Sequence, residues 1–558
     1  MGLFKGGGKK AAGAAALDVE AAAAGPAAAR SAAAADGPAA KDGGGEHPTS
    51  IYSIYSRRRK GLTLFVCACS TALVPICDTI YLPAVDAVQQ SLKTTAGMVA
   101  TSISVYMYTL ALGALFFGPV ADRFGRRVTL LGSTAAFTAL SVACMLAPTI
   151  EVLLAFRAVQ GFVVAACSTT SNAILADTYA PAERGRAMGV AAIPFLVGPV
   201  IGPLLGGGLS QSLGWRATFA ALVVFGGVMV AAQLLVIQET HHFFALRRLR
   251  ATRGDAAADA IQEEAHPPHF DPPYKPLVHL WDRHIAPYAA VTVMLFAVMF
   301  ASMIVLPLVL AAPPYNMGEG LLGVANGVPF GLGGLLAAPL GGAMADACAR
   351  RWRGAPEGRM VYASAVAVAV QPLAVLLFGW GMHFKLPAAV PLLGGFFINF
   401  AMTSHMPATM SLISIHKQRY AAAAGGGLHA LQFLVAGAFV QATPVGVASL
   451  GVGPYMSLCA GLALAATLAS IAAVAAALRA ARRAAGAPGA ALAAAEAGDG
   501  GAAGAGAGAG AGPAAAAAAA ASPPHSPRPG APLGGPALSG RRSSLDAALE
   551  GIAGTQAA

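Results

Sequence analysis

The chain has 558 residues, of which 56% are hydrophobic and only 11% are charged, and its formal net charge is +11. A soluble protein of this length would carry far more charge on its surface. The hydrophobic residues instead come in runs of roughly 18 to 25, long enough to cross a hydrocarbon core of about 30 Å. Because the runs show no apolar–polar alternation, we exclude a β-barrel and predict an all-α, polytopic membrane protein.

The two ends of the chain are low-complexity sequence. Residues 1–56 and 479–558 are rich in Ala, Gly and Pro. Such a composition offers too little hydrophobic surface for a packed core. We therefore predict that both ends are disordered tails.

Between the tails, the hydrophobic pattern predicts twelve transmembrane helices in two sets of six. We predict an N-terminal six-helix bundle at 57–238, a central loop at 239–284 and a C-terminal six-helix bundle at 285–478. The predicted spans, in chain order, lie at 61–83, 98–121, 128–147, 150–173, 187–210, 216–238, 285–311, 321–344, 359–382, 386–411, 424–447 and 452–477.

The charged residues of the short loops separate two sides of the predicted bundle. One side holds little more than Lys93, Arg216 and Lys385. The other side holds most of the basic residues, namely Arg57, Arg58, Arg59, Lys60, Arg123, Arg126, Arg127, Arg184, Arg186, Arg350, Arg351, Arg353, Arg359, Lys417, Arg419, Arg479, Arg482 and Arg483. Cytoplasmic loops are enriched in Lys and Arg. Both termini and the central loop are therefore predicted to be cytoplasmic, and we favour the plasma membrane over an internal membrane. Because orientation accounts for the basic residues, no nucleic-acid partner is expected.

A charged turn follows the second predicted span and recurs in the second half of the chain. Its sequence is GPVADRFGRR at 118–127, in which Asp122 and Arg126 are four residues apart. The pattern returns 224 residues later with Asp346 and Arg350, again after the second span of its half. Such an internal repeat is typical of transporters built from two related halves.

Several stretches resemble motifs of one family. The turn at 118–127 resembles the loop signature of the major facilitator superfamily, and LLAFRAVQG at 153–161 resembles its fourth-helix motif. GPVIGPLLGG at 198–207 is similar to the fifth-helix motif of its drug:proton antiporters. DTIYLPA at 78–84 and GLHALQF at 427–433 are similar to the bicyclomycin/chloramphenicol-resistance group. The resemblance implies the major facilitator fold, with two pseudo-symmetric six-helix halves.

The resemblance also implies a cytoplasmic latch at the charged turn. Asp122 would meet a helix N-terminus of the other half, where the helix dipole favours negative charge. Arg126 would pair with an acid at the end of the fourth span, for which Asp177 is the candidate. A plain orientation signal is the alternative, above all for Arg123 and Arg127. The residues assigned to the latch are Gly118, Asp122, Arg123, Gly125, Arg126, Arg127 and Asp177.

Two charged residues inside predicted spans are candidates for transport. A charged side chain within a bilayer costs free energy, so residues of this kind that are kept there usually have a function. Asp78 lies in the first span and Arg157 in the fourth, and the resemblance implies that Asp78 is the proton and cation site. We expect the positive charge of Arg157 to tune proton binding at Asp78. The alternatives are a partly hydrated Asp78 near the outer mouth and an Arg157 whose charge reaches an interface.

Small residues on the fifth span predict a close helix contact. Gly198, Gly202 and Gly206 recur every four residues, and Pro203 and Gly207 belong to the same motif. Such stripes allow helices to approach closely. The eighth span carries a similar stripe, Gly327, Gly331, Gly334, Ala338 and Gly342. We expect these two spans to pack tightly and to seal the junction between the halves.

A further set of polar and aromatic residues is predicted to line the cavity. His405 and His429 could relay protons, but hydrogen-bonded roles within the bundle are the stronger alternative. The complete set is Tyr81, Tyr106, Gln160, Asn172, Asn399, His405, His429 and Gln432.

The expected activity is proton-coupled antiport that exports small amphipathic or drug-like compounds by alternating access. A metabolite uniporter or proton symporter of the same fold, or a transporter-like receptor without flux, is the alternative. No nucleophile–base set, metal spacing or cofactor loop occurs in the sequence, so we predict no enzyme, no metal and no cofactor beyond the proton as coupling ion. We expect a monomer whose partners are its substrate and the lipid bilayer.

Overall fold

A computed structural model describes residues 50–253, 272–352, 355–417 and 421–485. Within these ranges the regular structure is entirely helical, and the predicted all-α fold is confirmed. Most of both predicted tails, residues 1–49 and 486–558, lies outside the described residues. Twelve long helices follow the order of the predicted spans: α1 Arg57–Thr79, α2 Ala96–Phe124, α3 Arg126–Met145, α4 Ile150–Thr178, α5 Pro181–Leu213, α6 Arg216–Val236, α7 Ala286–Leu310, α8 Glu319–Arg351, α9 Met360–His383, α10 Ala389–His416, α11 Ala421–Leu450 and α12 Val452–Ala485.

Eleven helices in the described part of the chain are long and apolar enough to cross a membrane. The remaining long helix is α10, with 28 residues. Asn399 and His405 lie near its middle, and such polar residues lower the mean hydropathy of a segment. Its length and its place in the chain still fit the tenth predicted span.

Several helices differ from the predicted boundaries, most of them by extending beyond the predicted spans. α1 ends at Thr79, because Pro83 lacks an N–H group to continue the helical hydrogen bonds, and a 3-10 turn at Leu82–Ala84 and a helix at Val85–Ser91 follow. The predicted central loop contains two helices, His242–Arg253 and Lys275–Leu280. α12 continues beyond its predicted end to Ala485.

The helices pack in two groups with the same pattern. In the first group α1 packs on α5, α2 on α4 and α3 on α6; in the second α7 packs on α11, α8 on α10 and α9 on α12. Each pair in the second group repeats a pair of the first, six helices later. The two six-helix halves are thus pseudo-symmetric, and they meet through α5 with α8 and α2 with α11.

The described contacts between the halves concentrate at one end of the bundle. We call the end with the turn at 118–127 the loop-motif end, and the end with the α1–α2 and α7–α8 loops the opposite end. At the opposite end, Gln211 of α5 accepts a hydrogen bond from the backbone N–H of Gly320 at 3.0 Å. Gln441 Nε2 of α11 donates to Thr101 Oγ1 of α2 at 2.9 Å. The halves are therefore joined at the opposite end.

Candidate functional site

The α2–α3 turn is held by an ion-pair network. α2 ends at Phe124, and Gly125 adopts a φ of 99°, which favours glycine. Arg126 Nη2 lies 2.6 Å from Asp122 Oδ1, and its Nε donates to Asp177 Oδ2 at 3.0 Å. The predicted partner of Arg126 at the end of α4 is thus in place.

Glu239 completes this network from the segment after α6. Its carboxylate accepts hydrogen bonds from the backbone N–H groups of Arg126 at 2.9 Å and Arg127 at 3.2 Å. An acid at a helix N-terminus satisfies free N–H groups and interacts favourably with the helix dipole. A Cβ at position 125 would collide with this carboxylate, which gives a second reason for Gly125. Burial and the nearby Arg126 lower the pKa of neighbouring His241.

Glu239 was not among the residues predicted from the sequence. The available signal was the position of this acid, directly after the sixth span and just before two histidines. The signal is weak, because only the fold brings residue 239 next to residue 126.

Asp122 differs from its implied role in one respect. Its described ion pair joins it to Arg126 of its own half, and 40% of its side chain is exposed. The physical reason is that the halves meet at the opposite end, so no described partner from the C-terminal half reaches Asp122. The latch between halves stays a prediction for another conformation of the protein.

The second half has a related but different network at its own loop. Asp346, the counterpart of Asp122, pairs with Arg359 Nη1 at 3.3 Å. The same Nη1 also donates to Ser411 Oγ of α10 at 2.9 Å. Arg359 thus takes the place of the arginine expected four residues after Asp346, and a serine replaces the acid at the end of the paired helix.

Arg157 is fully buried inside the N-terminal half. Its Nη1 donates to Gln160 Oε1 at 3.0 Å and lies 3.3 Å from Cys77 Sγ. The guanidinium lies over the Tyr106 ring at 4.2 Å and near the Tyr81 ring at 5.6 Å. Cation–π contacts of this kind are strongest where water is excluded. Arg157 therefore does not reach an interface, and that alternative is wrong.

Gln160 connects the arginine to a further helix. Its Nε2 donates to Ser141 Oγ of α3 at 2.8 Å. The predicted cavity residues Tyr81, Tyr106 and Gln160 thus surround Arg157, and each is fully buried. They hold the guanidinium in position from the segment after α1, from α2 and from α4 itself.

Asp78 lies at the end of α1, one residue from Cys77. Its side chain is 1% exposed, and in the described part of the chain neither carboxylate oxygen has a hydrogen-bond partner. No ion pair joins it to Arg157 within 4.0 Å among the described residues. Because it is buried, the alternative of a partly hydrated acid at the outer mouth is wrong for this conformation.

The glycine motif of α5 has two faces. A Cβ at Gly198, Gly202 or Gly206 would meet α1 or the Ile80 backbone that follows it. Gly207 instead approaches the backbone of Glu319 in α8. Positions four apart share one helix face, whereas adjacent positions point about 100° apart. The prediction that the whole stripe packs on α8 is therefore wrong for positions 198, 202 and 206.

The contact between α5 and α8 uses the neighbouring face. The backbone oxygen of Pro203 approaches Gly323, and Val200 lies against Gly327 and Gly331. The predicted close packing of these two helices is thus present at the opposite end. Farther along α8 the stripe faces elsewhere, since Gly334 meets Asn399 of α10 and a Cβ at Gly342 would contact nothing within 4 Å.

The remaining predicted cavity residues are dispersed. Asn399 Nδ2 donates to the Phe330 backbone oxygen at 2.6 Å and bridges α10 to α8. His405 Nδ1 lies 2.8 Å from Thr292 Oγ1, which fits the hydrogen-bonded alternative to a relay. Gln432 is buried and its side-chain atoms lack partners. Asn172 is exposed.

His429 lies at a contact between the two halves. Its Nδ1 lies 2.9 Å from the Gly425 backbone oxygen one turn earlier in α11. Its ring meets the Phe195 ring of α5 edge-on, with 6.3 Å between centroids. An aromatic ring and a polar ring thus face each other across the two halves.

Comparison with known proteins identifies the family. The sequence profile of the Major Facilitator Superfamily matches residues 67–441, well over half of the chain. The chain belongs to the Major Facilitator Superfamily. It is therefore an integral, multi-pass membrane protein of a family of transporters, and the expectation of a transporter fold is confirmed.

Related superfamily members have names connected with efflux. The chain is 29% identical over 344 residues to the efflux pump radE of Floropilus chiversii, which covers 58% of this chain and 63% of that protein. It is 40% identical over 157 residues to a multidrug resistance protein B homolog of Mycobacterium tuberculosis, covering 28% and 29%. It is 32% identical over 186 residues to the MFS antiporter QDR3 of Candida albicans, covering 33% and 27%. Each match spans less than two thirds of the relative. These relatives confirm the resemblance to the drug:proton antiporter group.

A solved superfamily structure confirms the fold. The crystal structure of a D-xylose–proton symporter aligns with a TM-score of 0.58 and 14% identity, over 74% of this chain and 97% of the other. At this identity the likeness concerns the fold alone. The two-half arrangement described above is thus that of superfamily transporters.

Proposed function

We propose that this transporter is a proton-coupled antiporter that exports small amphipathic compounds by alternating access, with Asp78 as the proton carrier. The observation that carries the proposal is the Asp78 carboxyl, which is 1% exposed and has no hydrogen-bond partner among the described residues. An ionised carboxylate without donors is very costly to bury, whereas a protonated one loses most of that cost. Proton binding at Asp78 would therefore be coupled to whether water reaches it.

Arg157 would contribute a fixed positive charge to the coupling between proton and substrate. Its fixed charge lies in the same half, held by Gln160 and the Tyr106 ring. When Asp78 loses its proton, a nearby buried cation stabilises the resulting anion. A cationic or polarised substrate would compete with the proton for the same carboxylate, and this competition makes exchange obligatory.

Alternating access follows from how the halves meet. They are joined at the opposite end through α5 with α8 and α2 with α11. By the positive-inside rule the loop-motif end faces the cytoplasm. The described conformation would then be inward-facing, and both termini would be cytoplasmic, with the plasma membrane as the site of action. Rocking of the halves would bring Asp122 to the C-terminal half and close the latch.

The substrate class rests on two observations. The contact between the halves that Phe195 makes with His429 combines an aromatic surface with a polar group. Such surfaces suit ligands that are mainly apolar with a few polar atoms. The names of the efflux and multidrug resistance relatives point to the same class.

The test uses purified protein in liposomes with an imposed pH gradient and a fluorescent lipophilic cation as probe. Antiport predicts that the probe accumulates against its gradient when the lumen is acidic, and that Asp78→Asn abolishes this accumulation. Asp86→Asn is the matched control, because Asp86 lies in the next helical segment and is only half-buried.

The same experiment separates the alternatives. Accumulation only when the outside is acidic would indicate symport, and equilibration without any effect of the gradient would indicate uniport. Either result, or full accumulation by Asp78→Asn, would refute the proposed antiport.

A further inference from the structure

Three side chains converge at the loop-motif end of the C-terminal half, away from Asp78 and from the contacts between halves. His284 precedes α7, Glu357 lies in the 3-10 helix between α8 and α9, and His416 is the last residue of α10. His284 Nδ1 is 3.1 Å from Glu357 Oε1, and His416 Nε2 is 3.6 Å from the same oxygen. Each residue offers one ligand atom, and these atoms lie within 4.8 Å of one another.

The distances fit a metal ion. Ligands placed tetrahedrally about 2.0–2.2 Å from zinc lie roughly 3.3–3.6 Å from one another. The two measured nitrogen–oxygen distances, 3.1 and 3.6 Å, are close to that range. The two imidazole nitrogens lie within 4.8 Å of each other, so an ion at the centre would draw them closer together.

Burial and missing partners mark the cluster as more than a group of surface histidines. Glu357 is 6% exposed, so its carboxylate is held away from water. His416 Nε2 is buried and has no hydrogen-bond partner within the described ranges. A buried carboxylate beside an unsatisfied imidazole nitrogen supplies the negative charge and the lone pair that a cation needs.

We propose that His284, Glu357 and His416 form a binding site for a divalent transition-metal ion of the zinc class. Two imidazoles and one carboxylate are ligands that Zn²⁺ shares with neighbouring ions, whereas Mg²⁺ and Ca²⁺ prefer oxygen alone. Three protein ligands leave one position for water.

The ion would join three segments that are distant in sequence. They are the stretch before α7, the α8–α9 loop and the end of α10. The Lys417–Asp282 ion pair, 2.7 Å long, already ties the first and third of these segments. Metal binding adds the α8–α9 loop, which carries Arg359, the partner of Asp346. The site therefore braces the charged network of the C-terminal half, and it is independent of the proposed transport activity.

The test is metal binding by the full chain in detergent, purified without a polyhistidine tag. Zn²⁺ binding is measured by competition with a fluorescent zinc indicator, and the site geometry by the visible absorption of Co²⁺. The wild type is expected to bind Zn²⁺, to give the intense spectrum of four-coordinate Co²⁺, and to gain thermal stability with Zn²⁺, since a ligand that binds only the folded state stabilises it.

Two single variants and one control isolate the site from other histidines. Glu357→Gln and His416→Ala should each weaken this Zn²⁺ binding by more than about tenfold and remove the Co²⁺ spectrum and the thermal shift. His383→Ala, at an exposed histidine where α9 ends at the opposite end of the bundle, should change none of them. His416→Ala keeps the test valid if Glu357→Gln fails to fold, because His416 is partly exposed and its replacement should disturb the fold less. Equal Zn²⁺ binding and equal spectra in the wild type and both variants would overturn the proposal, as would a wild type that binds no Zn²⁺.

Discussion

The Gly206→Ala substitution tests the helix contact inside the N-terminal half. The added Cβ would collide with the backbone oxygen of Ile80, and it would lie 3.2 Å from the Ile80 Cα. These are backbone atoms, which cannot turn aside as a flexible side chain can. Either α5 or the segment after α1 must move, at the point where α1 ends beside Asp78.

The expected magnitude follows from a comparison with Gly208 of the same helix. Overpacking a close contact typically costs about 1–3 kcal/mol. A Cβ at Gly208 would contact nothing within 4 Å, so Gly208→Ala should bring the gain of roughly 0.5–1 kcal/mol that alanine has over glycine in a helix. Both substitutions gain the helix propensity of alanine, so the two variants should differ in free energy of unfolding by the overpacking cost alone, on the order of 1–3 kcal/mol.

The measurement is reversible unfolding of the purified variants in mixed detergent–SDS micelles. Gly206→Ala should unfold at lower SDS fraction than the wild type, and Gly208→Ala at the same or higher fraction. Equal stability of the two alanine variants would refute the close packing of α5 against α1.

Three further variants probe the other contacts. Gly207→Ala should push α5 from the Glu319 backbone, so spin labels on α5 and α8 at the opposite end should move apart; unchanged label distances would exclude that contact. Glu239→Ala removes the acceptor of two N–H groups and should lower stability by about 1–2 kcal/mol in the same SDS titration, whereas unchanged stability would contradict the cap. Asp122→Asn should slow transport but shift stability by less than about 1 kcal/mol, because its pair is partly exposed; wild-type rates would favour a plain orientation signal.

Local sequence patterns predicted the fold because the bilayer imposes them. Hydrophobic length located the helices, and the motif around Asp122 located the turn. The Arg126–Asp177 pair was also predictable, since the family resemblance implied an acid at the end of the fourth span.

The parts that sequence did not predict depend on how helices rotate and on which distant segments meet. The spacing of Gly198, Gly202 and Gly206 indicated a close helix contact. Such spacing does not indicate which helix is in contact, and in the structure it is α1. Glu239 and Glu357 lie in loops without a periodic pattern. Their partners come from other segments of the chain, and only the folded bundle brings them together.

The measurement that tests the central claim most directly is proton release on substrate binding, followed with a pH indicator in weakly buffered detergent solution. If Asp78 carries the proton, binding of a lipophilic cation to the wild type should release protons near neutral pH. Asp78→Asn should release none from this site, whereas the Asp86→Asn control should behave as the wild type. Proton release by Asp78→Asn equal to that of the wild type would contradict the account.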